Sequence, residues 1–141
     1  MSYLLDTNVV SELVRPKPDA DVLDWFDRTP DHALHLSVLS LGEIRKGVEN
    51  LGPSPRREAL RVWLEQELRD WFGDRILPVD RGVANQWGVL LAHAGRPLPT
   101  IDSLLAATAL YHDLRLATRN VTDFRFTGLE VINPWDSGNL P

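Results

Sequence analysis

The chain has 141 residues, 43% of them hydrophobic and 25% charged, which fits one domain with its own core and excludes a disordered chain. Its net charge of −5 excludes a protein that holds nucleic acid through a broad basic surface. It has no cysteine, which excludes disulfides and thiolate metal sites and fits a reducing cytoplasm. No apolar run is long enough to span a bilayer, and the start Met1-Ser2-Tyr3-Leu4-Leu5-Asp6 lacks the basic-then-apolar pattern of a secretory signal. An acidic balance still allows an enzyme that acts on nucleic acid, because a bound divalent ion reverses the sign of an acidic pocket. It also leaves room for a basic partner.

Short β-like runs alternate with helical patterns along the chain, which predicts an α/β layer architecture in one domain over residues 1–141. Tyr3-Leu4-Leu5 reads as a buried strand. A short helix follows from Asp6 to Arg15, where Pro16 and Pro18 stop it. Val22, Leu23, Trp25 and Phe26 predict a helix over Ala20 to Arg28. Leu34 to Ser37 reads as a strand, and Leu41, Ile44 and Val48 then give helical spacing from Val38 to Asn50. Gly52-Pro53-Ser54-Pro55 breaks the chain. The next helix runs from Arg56 to Phe72, with Leu60, Trp63, Leu64, Leu68 and Trp71 on one stripe. Ile76 to Val79 reads as a strand. Asp80 is a good N-cap for a helix through Trp87 to His93. Ile101 to His112 is apolar almost all round, which predicts a buried helix. Arg115 to Thr118 and Glu130 to Ile132 are the last strands, closed by Asn133-Pro134-Trp135.

Three acids stand where a strand gives way to a helix, or near a helix start. These are Asp6 after the first strand, Glu43 one turn into the helix after Ser37, and Asp102 at the start of the buried helix. Ligands of open α/β sheets collect at the carboxyl ends of the strands. Each acid also has a plainer reading. Asp6 is a possible helix cap. Ser40-Leu41-Gly42-Glu43 fits the capping-box pattern, which would spend Glu43 on a backbone amide. Asp102 suits the first turn of a helix through the macrodipole. Asp102 shares a stripe with Leu105, Ala106 and Ala109, however, and a buried carboxylate is costly unless paired or bound to metal. Asn120 and Asp123 lie beyond the Arg115–Thr118 strand, where an Asx turn is the alternative reading. Arg45, Lys46 and Arg119 are near the acids in sequence and are candidate contacts to a substrate backbone, with ordinary surface charge as the alternative.

These residues resemble a known family. Leu4-Leu5-Asp6-Thr7-Asn8 is similar to the N-terminal signature of PIN domains. Ser37-Val38-Leu39-Ser40-Leu41-Gly42-Glu43-Ile44-Arg45-Lys46-Gly47 resembles the second segment of that family. Asp102 with Leu105-Ala106-Ala107-Thr108-Ala109 resembles the third. Leu116-Ala117-Thr118-Arg119-Asn120 with Asp123-Phe124 resembles the fourth. Asn133-Pro134-Trp135 is similar to the FitB-like branch of VapC toxins. The resemblance covers essentially the whole chain, in the family's order. It implies a three-layer α/β/α sandwich around a mainly parallel sheet. It implies a VapC-type toxin of a type II toxin–antitoxin pair, an endoribonuclease dependent on Mg²⁺, with Mn²⁺ a plausible substitute. The three acids of the family fall on Asp6, Glu43 and Asp102, which it makes both catalytic and metal-binding. The fourth acidic position falls on Asn120 or is served by Asp123, and an amide at Asn120 puts a second metal site in doubt. Thr7, Asn8 and Thr118 would support the acids. The implied partners are RNA, a VapB-type antitoxin that brings DNA binding, and a second copy of the chain.

Three other functions compete. A non-catalytic subunit of the same fold would use the acids to dock a basic antitoxin on DNA. A phosphoryl hydrolase with Asp6 as nucleophile would want a second Asp where Asn8 stands. A zinc hydrolase would need a helical His pair, which His32, His35, His93 and His112 do not supply. Trp25, Trp63, Trp71, Trp87 and Trp135 resemble stacking platforms in type, but most fall on apolar stripes, which favours packing.

Overall fold

Strand β1 (Tyr3–Leu5) lies between β2 (Leu34–Ser37) and β4 (Arg115–Ala117), and β3 (Ile76–Leu77) and β5 (Val131–Ile132) form the edges. All four pairings are parallel. The computed structural model describes residues 1–139. The sheet order β3-β2-β1-β4-β5 shows that the chain builds outward on one side of β1 and then crosses to the other. The switch point is therefore the carboxyl end of β1, where a crevice opens between diverging connections. Asp6 is the first residue past that end.

Alternation along the strands divides the apolar residues between two faces. Leu5, Leu34, Leu36 and Ala117 point to one face, and Leu4 and Leu116 to the other. The first face is covered by α1 (Thr7–Glu12), α2 (Ala20–Arg28), α3 (Val38–Glu49) and α5 (Leu68–Phe72), through Val9, Val10, Trp25, Ile44, Val48, Leu68 and Phe72. The second is covered by α7 (Thr100–Tyr111) through Leu105, Ala106 and Ala109, and α6 (Arg81–Ala94) packs on α7. The result is the α/β/α sandwich expected from the sequence, with a sheet that is parallel throughout. Each fully buried leucine contributes about 1.5–3 kcal/mol, so the paired Leu4 and Leu5 fasten both layers to β1.

Local chemistry sets the helix ends. Asp19, Ser37, Ser54 and Asp80 each cap a helix by accepting backbone N–H bonds. Gly95, at φ 66°, ends α6 in the left-handed region that glycine enters without strain. Glu12 is buried at the end of α1. Its carboxylate accepts from the Asp19 N–H at 2.8 Å and from Arg15 at 3.1 Å, which closes the proline-rich turn between α1 and α2.

The predicted helix from Arg56 to Phe72 is interrupted. It forms α4 (Pro55–Val62), a wide π turn over Trp63–Glu67, and then α5. Leu60, Leu64, Leu68 and Phe72 recur at four-residue spacing, and all four pack on the first core. A regular helix of 3.6 residues per turn rotates such a series off the core face, and the wider turn brings it back. Three strands are shorter than the sequence predicts: β3 ends at Leu77 rather than Val79, β4 ends at Ala117 rather than Thr118, and β5 starts at Val131 rather than Glu130. No helix of the described residues is long and apolar enough to cross a membrane.

Candidate active site

Asp6 is 8% exposed, and its backbone N–H extends the β1–β4 pairing by bonding Ala117 O at 2.9 Å. Its carboxylate is held on both oxygens. The Thr7 N–H donates to Oδ1 at 2.7 Å, and the Thr118 hydroxyl donates to Oδ2 at 2.7 Å. Thr118 is fully buried, and its hydroxyl also accepts the Asn120 N–H at 3.0 Å. The cap reading of Asp6 is thus present in the structure, but it accounts for one oxygen only. The second oxygen belongs to a bond across strands.

Glu43 is not part of a capping box. The cap of α3 is Ser37, whose hydroxyl accepts the Leu39 N–H at 3.0 Å, so Ser40 and Glu43 lie inside the helix. Glu43 instead accepts the Thr7 hydroxyl at 2.7 Å. Thr7 therefore links two of the three acids, bonding Asp6 with its backbone and Glu43 with its side chain.

Asp102 lies in the first turn of α7, half-buried, and accepts no hydrogen bond among the described residues. Its neighbour Ser103 is fully buried, and fixes that turn by donating to Thr100 O at 2.9 Å. Trp87 on α6 donates its indole N–H to the Ser103 hydroxyl at 2.9 Å. Neither Trp87 nor Ser103 stood out in the sequence as serving the site. The one available signal was a serine inside a helix that is otherwise almost wholly apolar.

The acids sense one another. Burial is the main cause that lifts the Asp6 pKa above its ordinary value. The Thr118 and Thr7 hydrogen bonds oppose the rise, and the charges of Asp102 and Glu43 add to it. Asp102 is also lifted, by burial first and then by the charges of Asp123 and Glu43. Among the described residues, no basic side chain pairs with Asp6, Glu43, Asp102 or Asp123.

The fourth position opens a short 3₁₀ turn, Val121–Phe124. Asn120 precedes it, is exposed, and makes no capping bond with its side chain, so the Asx-turn reading does not hold there. Asp123 lies within the turn and reaches the others through its charge on Asp102.

The three basic candidates separate. Arg45 is tied away from the acids, to Glu65 at 2.8 Å and to Glu49 at 3.3 Å. Its expected role on a substrate backbone is therefore withdrawn. Lys46 is exposed, as plain surface charge would be. Arg119 directly follows Thr118, and its guanidinium lies 5.1 Å from the centre of the Trp135 ring. The other tryptophans pack: Trp25 is buried edge-on to Tyr3, and Trp63 and Trp71 line the first core.

The sequence pattern of the PIN domain matches residues 3–126. The chain belongs to the PIN-domain family. Within it, this PIN domain is 36% identical over 136 residues to the VapC ribonuclease Y4jK of Sinorhizobium fredii, covering 94% of this chain and 97% of that one. It is 37% identical over 135 residues to the toxin FitB of Neisseria gonorrhoeae, covering 94% and 97%. Among solved structures it is similar to a chain of FitAB bound to a DNA fragment. That match has a TM-score of 0.86 and 34% identity, over 94% of this chain and 95% of the other.

The oxygen donors fit a hard divalent ion. Asp6 offers a fixed carboxylate, and Asp102 one that no protein group occupies. No three His, Asp or Glu side chains among the described residues stand close enough to enclose a metal by themselves. An ion bound here would have to take one or two carboxylates and keep several waters, as Mg²⁺ does.

Proposed function

We propose that this PIN domain is the toxin of a toxin–antitoxin pair and an Mg²⁺-dependent endoribonuclease that works in the cytoplasm. The observation that carries the reading is uncompensated negative charge. Four acids at the switch point of the sheet have no basic partner, and two of them hold their protons above the usual range. Such an arrangement is costly unless a cation completes it. The ribonuclease name of the Sinorhizobium relative supports the choice of RNA.

In this reading Asp6 and Asp102 hold the ion. Mg²⁺ supplies positive charge toward the phosphate and lowers the pKa of a bound water. Thr118 and Thr7 keep the Asp6 carboxylate aimed, so it does not reorganise when substrate arrives. Glu43, anchored on Thr7, is the carboxylate exposed enough to take the proton of the attacking water. Asp123, whose charge acts on Asp102, orders water there, with Asn120 at the start of the same turn. In-line attack forms a new P–O bond and breaks the P–O3′ bond, leaving 5′-phosphate and 3′-hydroxyl ends. Substituting one metal-binding carboxylate lowers the rate by more than about 100-fold.

The FitAB complex bound to DNA supports a protein partner and a link to DNA; in this proposal a cognate antitoxin supplies the DNA binding and covers the acids with basic side chains. A homodimer of toxin chains belongs to the same proposal. The test is antitoxin-free protein incubated with a mixed RNA pool, with Mg²⁺, Mn²⁺ or EDTA, beside Asp102→Asn. Metal-dependent cleavage by the wild type alone, leaving 5′-phosphates, is the expected result. Equal cleavage by the variant would sink the assignment. No cleavage by folded, Mg²⁺-binding protein would favour the non-catalytic subunit.

A further inference from the structure

We propose that Arg119, whose guanidinium lies over the Trp135 indole, binds a phosphate of the single-stranded RNA next to the one being cut, and so sets how the strand crosses the acids. This rests on the nuclease reading of the site. A carboxylate cluster repels a phosphodiester chain, so productive approach needs a fixed cation on one flank. Arg45 is spent on Glu65 and Glu49. Arg119 is exposed and, among the described residues, forms no ion pair and no side-chain hydrogen bond. Only the indole orients it.

Its placement is set by the sheet. Arg119 is one residue from Thr118, which bonds Asp6 directly. Its backbone N–H faces Asn8 Oδ1 at 3.4 Å. Trp135 lies in the 3₁₀ segment just after the neighbouring edge strand, whose Ile132 O accepts the Thr118 N–H at 3.0 Å. Asn133 Oδ1 accepts the Trp135 N–H at 2.9 Å, and the ring packs on the first core. The Asn-Pro-Trp segment thus builds a rigid shelf beside the acids. A guanidinium over such a ring, with no ion pair or side-chain hydrogen bond among the described residues, leaves its N–H groups free for a phosphate, which an arginine can grip with two parallel bonds. Stacking also removes part of the side-chain entropy that a free arginine loses on binding. The tryptophan is accordingly a platform for the arginine and not for a base.

The experiment measures binding of a labelled single-stranded RNA by anisotropy in EDTA, over a range of salt, and cleavage with Mg²⁺ in parallel. Arg119→Gln should weaken binding about tenfold, the size of one charge-assisted contact. It should also flatten the slope of log affinity against log salt by about 0.7, one phosphate on a single strand. KM should rise while kcat at saturating RNA and the Mg²⁺-induced rise in melting temperature stay as in the wild type. Arg119→Lys should keep the salt slope but lose affinity. Trp135→Phe should sit near the wild type, and Trp135→Leu near Arg119→Gln. Unchanged affinity and slope in Arg119→Gln would overturn the proposal, as would a wild type that binds no RNA. Intact RNA binding with loss of an acidic protein partner would overturn it in favour of that partner. Arg119-dependent RNA binding by a wild type that cuts nothing would support it while the nuclease reading fails.

Discussion

Asp6 and Asp102 are held by two unlike regions of the molecule. Asp6 stands at the centre of the sheet, with both carboxylate oxygens bonded and a fully buried threonine behind it. Asp102 stands at the start of a helix, with no hydrogen bond to its own side chain. Its position is set at one remove, through Ser103 and the Trp87 indole. The sheet supplies a carboxylate whose two oxygens are already bonded, whereas the helix supplies one held only through its neighbours. In the proposed reading the first is the fixed edge of the site and the second is the one free to turn toward a cation.

The sharpest way to break this comparison is to replace each acid by its amide. Both variants lose activity, but they part in stability. Asp6→Asn puts an amide donor against a threonine hydroxyl that already accepts the Asn120 N–H, and should cost about 1–3 kcal/mol in EDTA, the size of an unsatisfied buried group. Asp102→Asn removes a repelling charge and breaks no bond, so its metal-free form should melt above the wild type. Thermal melts in EDTA check both. Equal losses would mean that Asp102 has a structural partner after all.

The second test is the pH dependence of the melt. Asp6 and Asp102 both have folded pKa values raised above 3.8. Their contribution to stability is therefore fully present below that value and is lost as pH rises through the raised folded values, because the unfolded chain gives up these protons more readily. Mg²⁺ binds the ionised forms, so its stabilising effect should grow over the same mildly acidic window. Melts with Mg²⁺ and with EDTA between about pH 4 and pH 8 would show the two curves diverge. In Asp102→Asn the divergence should shrink.

The smallest expected effect probes the indirect support of Asp102. Trp87→Phe keeps one aromatic ring but deletes the indole N–H, a lost hydrogen bond of about 0.5–1.5 kcal/mol, with some loss of packing besides. Mg²⁺ affinity should fall about tenfold, as when a partner behind a metal ligand is lost. Ser103→Ala should do the same, and the double variant little more, since the two residues form one unit. Additive losses would show that Trp87 acts by packing alone.

The order of strands and helices was legible because apolar runs and proline breaks fall where the chain turns. Asp6 and Asp102 were legible because an acid at a strand end, or on an apolar stripe, is out of place without a reason. Three features were not. The sequence reads Ser40 with Glu43 as a capping box, because pattern alone does not fix where the helix starts. The structure chooses Ser37, which frees Glu43 for Thr7. The diversion of Arg45 depends on where α4 and its π turn come to rest, which is a long-range property. The Trp87–Ser103 bond depends on the packing of α6 against α7. The π turn itself did leave a trace, in the four-residue spacing of Leu60, Leu64, Leu68 and Phe72.

That wide turn over Trp63–Glu67 has a consequence for chain length. It carries one residue more than a regular helix needs, so deleting a single residue there would mend the local hydrogen bonding. The flanking turns would keep their phase, because the seven residues then separating Leu60 from Leu68 span about 700° of regular helix, within about 20° of two full turns. Forcing the turn into regular helix without a deletion would instead rotate Leu60 against Leu68 and Phe72 by about 100° and take one side off the core. The irregular backbone is the phase correction that lets one long segment keep a single greasy edge, and a homologue of regular length at this place would have to space its leucines differently.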